Sequence, residues 1–119
     1  MSDSKRALAG FKVLTDDQMK ALEADGSFAG APVDREDGYI HLSTVEQLTE
    51  TVNKHFAGQD ALWVAEVDLA ALGDRVRWEE SRGGQLFPHL YGTLPLDAVV
   101  AYSPLERDED GQVRLPVTG

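Results

Sequence analysis

Two short segments concentrate the side chains able to hold a ligand or move a proton. In Asp37-Gly38-Tyr39-Ile40-His41-Leu42-Ser43, an extended backbone sends Ile40 and Leu42 to one face and Tyr39, His41 and Ser43 to the other. In Phe87-Pro88-His89-Leu90-Tyr91-Gly92 the same alternation groups Phe87, His89 and Tyr91. Imidazole and hydroxyl groups both donate and accept hydrogen bonds, and two aromatics flanking an imidazole suit a flat ring such as a base, a nicotinamide or a sugar face. Each residue also has a structural alternative. His41 could be satisfied by backbone, Ser43 could cap the following helix, Phe87 belongs with the core, and Tyr91 could be tied through its hydroxyl.

A third stretch, Trp78-Glu79-Glu80-Ser81-Arg82-Gly83-Gly84, joins carboxylates, a guanidinium and an open backbone. That combination can hold a phosphate or a ribose diol, although any hairpin also uses glycines. Glu79 faces opposite Trp78 and is the candidate functional carboxylate, whereas Glu80 reads as solvated. With His41 and His89 as further candidate catalytic groups, the ligand-binding set is Tyr39, Ser43, Arg82 and Tyr91. His55, next to Phe56 at a helix end, reads as a partner of terminal carbonyls. The spacing demands no metal site, and the chain contains no Walker loop, His-Glu-x-x-His or Gly-x-Ser-x-Gly motif.

The elements that must position these groups follow from periodicity. Phe11-Lys12-Val13-Leu14 is a strand, and Thr15-Asp16-Asp17-Gln18 opens a helix with capping-box spacing that Gly26 closes. Residues 27–37 lack periodicity and read as a loop. After the Tyr39–Ser43 strand, Ser43-Thr44-Val45-Glu46 is read as a second capping box, and Val45, Leu48, Val52 and Phe56 form an amphipathic stripe ended by Gly58. Strands are expected at 61–68, 75–79 and 98–105, with a helical turn at 69–73 and glycine-rich loop at 81–85. Asp110-Gly111 signals a hairpin whose returning edge is Val113-Arg114-Leu115.

This order, about six short strands and two principal helices, predicts an α+β domain with a small mixed or antiparallel sheet. The 119 residues suffice for one domain, with 11–105 as its core, 1–10 as a flexible tail and 106–119 as a C-terminal hairpin and tail. Apolar residues make up 42% and charged residues 27%, a globular composition. The absence of cysteine excludes disulfides, thiolate nucleophiles and cysteine zinc sites. A net charge of -10 repels a phosphate backbone, so nucleic acid is not expected as a partner, while Arg75, Arg77 and Arg82 could still attract a small anion. No signal peptide and no apolar run of roughly 20 residues is evident, which gives a cytoplasmic, non-membrane expectation. The expected partner is a small molecule; oligomeric state is not legible.

The motifs Phe11-Lys12-Val13-Leu14, Asp37 to Thr44, Trp78-Glu79 and Phe87 to Gly92 together resemble the small bacterial proteins grouped as domain of unknown function 952, over about Phe11 to Leu105. Tyr39 departs from the phenylalanine expected there. That family is similar in presumed fold to the ADP-ribosyltransferase superfamily, whose members bind NAD in a cleft between two small sheets. The resemblance implies an ADP-ribosyltransferase-like split sheet, the Tyr39–Ser43 strand and its helix beside the nicotinamide ribose, and NAD as substrate or ligand. It also implies that Lys12 stands near the position of a ribose-binding histidine, with Glu79 as the candidate for the glutamate that bonds the ribose. Two other readings stay open: a non-catalytic small-ligand or regulatory module, and a two-histidine phosphoesterase-like hydrolase echoed by His41-Leu42-Ser43 and His89-Leu90-Tyr91.

Overall fold

The computed structural model describes residues 9–116. Among them are eight strands and four α-helices. Strands β1 (Ala9–Thr15), β4 (Leu62–Asp68) and β8 (Val99–Pro104) form one sheet in the order β1-β4-β8, and β3 (Ile40–His41), β6 (Leu86–Leu90) and β5 (Val76–Glu80) form another in the order β3-β6-β5. A two-stranded pair joins β2 (Ser27–Phe28) to β7 (Leu94–Pro95). Every pairing is antiparallel, so the sheet arrangement is the antiparallel form of the two expected.

The two three-stranded sheets touch at one rung. Phe11 N–H donates to the Ser43 carbonyl at 2.7 Å and Ser43 N–H returns the bond to the Phe11 carbonyl at 2.9 Å. Among the described residues no second rung joins β1 to β3, so the two sheets meet at that bridge and are separate elsewhere. The main core packs Leu14, Ile40, Leu42, Leu90 and Leu94 with Ala65 and Val67 of β4 and with Met19 and Leu22 of α1 (Asp16–Asp25). A second cluster on the other side of β1 and β4 packs Phe11, Val13 and Val64 against Leu48 and Val52 of α3 (Val45–His55).

Helix α1 is capped as its sequence predicts: Gln18 N–H donates to Thr15 Oγ1, Thr15 N–H donates to Gln18 Oε1, and Gly26 closes the helix at φ +75°. The box of α3 is displaced by one residue from the expected one. Thr44 and Gln47 supply it, not Ser43 and Glu46. Val45, placed on the apolar stripe, is exposed, and α3 ends at His55 with Phe56 as C-cap, before Gly58.

The segment 27–37 is not a loop. It holds β2 and the short helix α2 (Pro32–Asp37), in which Pro32 opens the first turn, Ala31 N–H donates to Asp34 Oδ2 at 2.8 Å, and Gly38 at φ +90° ends the helix. Ala9 and Gly10, assigned to the tail, begin β1, while the rest of that tail and the last three residues lie outside the described residues. The C-terminal hairpin reduces to a turn closed by a single Arg107–Val113 bridge, because Val113 is drawn into the α3 cluster and its N–H donates to Thr49 Oγ1. No helix among the described residues is long and apolar enough to cross a membrane.

Two orphan N–H groups depend on the Thr44–Gln47 box. Thr44→Ala should therefore destabilise the domain by about 1 kcal/mol in urea unfolding, whereas Glu46→Ala, at the position first expected to complete the box, should change it by no more than roughly 0.5 kcal/mol.

Candidate functional site

Where β1 leaves β3, the backbone of His41 is turned toward the gap with no strand to meet it. An ion pair fills the gap instead. Lys12, on β1, sends its ammonium to the His41 carbonyl at 3.1 Å, and Asp34, on α2, accepts from His41 N–H at 3.1 Å. The two side chains bond each other, Lys12 Nζ lying 2.9 Å from Asp34 Oδ2 and 3.2 Å from Oδ1. Both residues are buried. The His41 imidazole then places Nδ1 2.6 Å from Asp34 Oδ1 and Nε2 2.9 Å from Asp37 Oδ2. A carboxylate only accepts, so each contact uses an N–H, and the ring makes both together only when it carries both protons.

Burial works against the charge on Asp34, but the bonds from His41, Lys12 and Ala31 N–H outweigh it and hold its pKa at about 2. For Lys12 the balance is reversed. Burial lowers its pKa from the ordinary value, and Asp34 opposes that shift in part.

The register of β3, β6 and β5 sets His41 opposite His89, and His89 opposite Arg77. The His41 and His89 rings are 5.5 Å apart, edge to face. Tyr39, in the bend before β3, stacks on His89 at 4.1 Å and lies 4.8 Å from His41 and 5.3 Å from Tyr91. His89 donates from Nδ1 to Glu79 Oε1 at 2.7 Å, and the Tyr91 hydroxyl donates to the same carboxylate at 2.9 and 3.1 Å. Those two bonds lower the Glu79 pKa and keep the group ionised at neutral pH. The Tyr91 pKa is raised by its bond to Glu79, and the Tyr39 pKa is raised by burial and then by Asp37 and Glu79, so both remain phenols. The Arg77 guanidinium lies 5.1 Å from the centre of the Tyr91 ring.

Five of the expected residues thus converge: Tyr39, His41, Glu79, His89 and Tyr91. They form an open polar face in which His89 is buried beneath the others. Two shallow depressions, of about 590 and 350 Å³, lie elsewhere, beside Tyr102 and Arg114 and beside Asp25 and Arg35. Two expected residues do not join the cluster as ligand groups. Ser43 is buried and its hydroxyl bonds Thr51 of α3 at 2.9 Å, and Lys12 is engaged in the gap. The backbone of Arg82 belongs to the turn Arg82–Gly84 after β5. Asp34 and Asp37 are the carboxylates beside His41 that sequence reasoning missed. The available signal was local: Pro32 two residues before Asp34 and Gly38 after Asp37 frame a short helix with Asp34 in its first turn. Among the described residues no three His, Cys, Asp or Glu side chains gather into a metal-binding group.

A family model described as "Protein of unknown function (DUF952)" matches residues 13–102. The chain belongs to this family. Asp34, Asp37, His41, Glu79, His89 and Tyr91 all lie within the matched span. The fold of this DUF952 domain is shared by protein CC0527 from Caulobacter crescentus, a structural genomics target. Its crystal structure is 42% identical, with a TM-score of 0.81 over 89% of this chain and 93% of that one. Its solution NMR structure is 43% identical, with a TM-score of 0.75 over 88% and 90% of the two chains. No curated protein matches the chain.

Removing the carboxylate of Asp34 strands a buried ammonium, a change that typically costs about 3–5 kcal/mol; Asp34→Ala should lose that much in urea unfolding. The pH dependence has a defined sign. A folded-state pKa of about 2, below the ordinary 3.8, gives stability that is present above about pH 4 and lost as pH falls through about 2. The advantage of the wild type over Asp34→Asn should therefore shrink by roughly 2–3 kcal/mol across that window, measured by urea unfolding at each pH.

Proposed function

We propose that this domain binds a nucleotide of the NAD type in an ADP-ribosyltransferase-like cleft, with the nicotinamide ring against Tyr39 and Tyr91 and beside Glu79. The observation that carries the reading is the ionised Glu79 carboxylate, held by both His89 and Tyr91 at the edge of a group of aromatic rings. The nicotinamide ring of NAD is flat and positively charged. Aromatic faces and a fixed carboxylate attract such a ring, through cation–π contact and direct charge attraction.

The same carboxylate suits the bond-breaking step. As the nicotinamide–ribose bond breaks, its electron pair moves to the ring nitrogen and positive charge develops at the ribose carbon, where Glu79 would oppose it. The ribose hydroxyls would meet His41 and Tyr39, because Lys12 and Ser43, the groups that the family resemblance assigns to this region, are buried and engaged elsewhere. Arg77, beside the Tyr91 ring, would be a cation available to a phosphate.

A second reading has its own observation. His41 and His89 are cross-strand partners, 5.5 Å apart, and each has Nδ1 held by a carboxylate, as in an acid–base pair working on one substrate. Phosphoester hydrolysis on that pattern is opposed by Asp37 and Glu79, whose charges face the place an anionic substrate would occupy. A non-catalytic module would use the same face without turnover.

Isothermal titration should give binding by NAD with a dissociation constant on the order of 1 mM or tighter, and weaker binding by ADP-ribose, which lacks the nicotinamide. Glu79→Gln and Tyr91→Phe should each weaken NAD binding by about tenfold, one hydrogen-bonded charge contact being worth roughly that much, while His55→Ala leaves it unchanged. No heat with NAD at several times that concentration defeats the reading. Nicotinamide release separates a transferase or glycohydrolase from a binding module, and cleavage of a 2′,3′-cyclic phosphate would favour the paired-histidine reading instead.

A further inference from the structure

Helix α2 is held to the domain in an unusual way for so short an element. Only one of its residues is buried, and that residue is the carboxylate Asp34, not an apolar side chain. Val33, Arg35 and Glu36 are exposed, and glycines at positive φ bracket the helix, Gly30 at +115° and Gly38 at +90°. The attachment is therefore electrostatic, with glycines at both ends that can absorb backbone rotation. Its outer contact is the bond from His41 Nε2 to Asp37, which occupies the second nitrogen of a half-buried imidazole.

We propose that α2 is a latch on the site, closed when the His41 imidazole donates from both nitrogens to Asp34 and Asp37 and released when Nε2 loses its proton. The two bonds are not equivalent. Asp34 is buried, accepts four hydrogen bonds from Lys12, Ala31 N–H, His41 N–H and the His41 ring, and keeps the proton on Nδ1. Asp37 is 42% exposed and has a single contact with the ring. Loss of the Nε2 proton would bring a lone pair against the Asp37 carboxylate, which then repels the ring and turns to solvent. The freed Nε2 becomes an acceptor on the open face, available to a ligand hydroxyl or to a proton.

Asp34 and Asp37 favour the doubly protonated ring, and Lys12, bonded to Asp34 and to the His41 carbonyl, opposes it. His89, edge to face at 5.5 Å, opposes it only when itself protonated, and the Glu79 carboxylate bonded to His89 favours it. Tyr39, tilted at 4.8 Å from the ring, stays a neutral phenol and adds no charge. The closed state gains its partner when the ring is protonated, so closure is strongest at the acidic end and lost as pH rises. The device needs no ligand and stands independently of the NAD reading.

Amide hydrogen exchange by NMR tests it on the ligand-free domain. The reporters are the amides of Arg35, Gly38 and Tyr39, which donate to the carbonyls of Ala31 and Asp34, and the N–H of Phe56, the C-cap of α3, which donates to the Val52 carbonyl, is the reference. Expressed as protection factors, which remove the intrinsic pH dependence of exchange, the three should lose about three- to tenfold protection between roughly pH 5 and pH 8, with Phe56 unchanged. The loss should share its midpoint with the ring-nitrogen shifts of His41. Asp37→Asn should abolish the dependence, because a side-chain amide can accept from Nε2–H and donate to bare Nε2 alike. His55→Ala should retain it. Protection that stays flat through the His41 titration, or a dependence that persists in Asp37→Asn, overturns the latch.

Discussion

The structure depends on the way the gap between two sheets is filled. A sheet that splits leaves backbone donors and acceptors facing each other across a space too wide for a rung, and buried backbone groups without partners cost about 1–3 kcal/mol each. At the Phe11–Ser43 rung the strands still meet; at His41 they do not. The Lys12 ammonium and the Asp34 carboxylate take the place of the missing strand, one bonding the His41 carbonyl and the other its N–H. A charged pair is costly to bury, and this one is tolerated because its carboxylate is fully engaged with Lys12, Ala31 and His41. Apolar replacements of similar size would relieve the desolvation cost but leave the His41 backbone unsatisfied. The ion pair thus has a structural role no hydrophobic pair can take.

The filling of the gap also determines the chemistry beside it. Asp34 accepts from the backbone and the ring of the same residue, so the conformation of β3 and the orientation of the His41 imidazole are fixed by one group. His89 is oriented in a different way, by a carboxylate on the neighbouring strand that is partly open to solvent. Two imidazoles in register across β3 and β6 therefore sit in unlike surroundings: His41 between two carboxylates of one helix, His89 beneath Tyr39 with Glu79 and Tyr91.

Much of this was legible in the sequence where the signal was periodic. The alternation at 39–43 and 87–91 separated Ile40, Leu42 and Leu90 from His41, His89 and Tyr91, and the structure keeps that separation because a one-residue slip would expose the entire apolar set. Glu79 was legible for the same reason. Asp34 was not. A carboxylate in a polar, aperiodic stretch is ordinarily solvated, and its burial follows from the distant Lys12, which no local pattern connects to it. Helix α2 escaped notice because six residues give no amphipathic repeat, and its position rests on tertiary bonds. The one-residue displacement of the α3 cap has a similar origin: Ser and Thr both suit an N-cap, and Ser43 is drawn away by Thr51.

Ser43 also shows why a shared strand face is not by itself a site. The odd-numbered face runs from Ser43 through His41 toward Tyr39, yet α3 covers one end of it. Thr51 takes the Ser43 hydroxyl, and Gln47 Nε2 donates to the Leu86 carbonyl at 2.9 Å, closing the adjoining end of β6. Among the described residues no helix covers the other end, and α2 reaches its margin through Asp37. Alternation decides which residues could meet a ligand; the packing of α3 decides which of them still can. The same residue types therefore divide into a structural end at Ser43 and a chemical end from His41 to Tyr91, and the boundary between them lies at the gap that Lys12 and Asp34 fill.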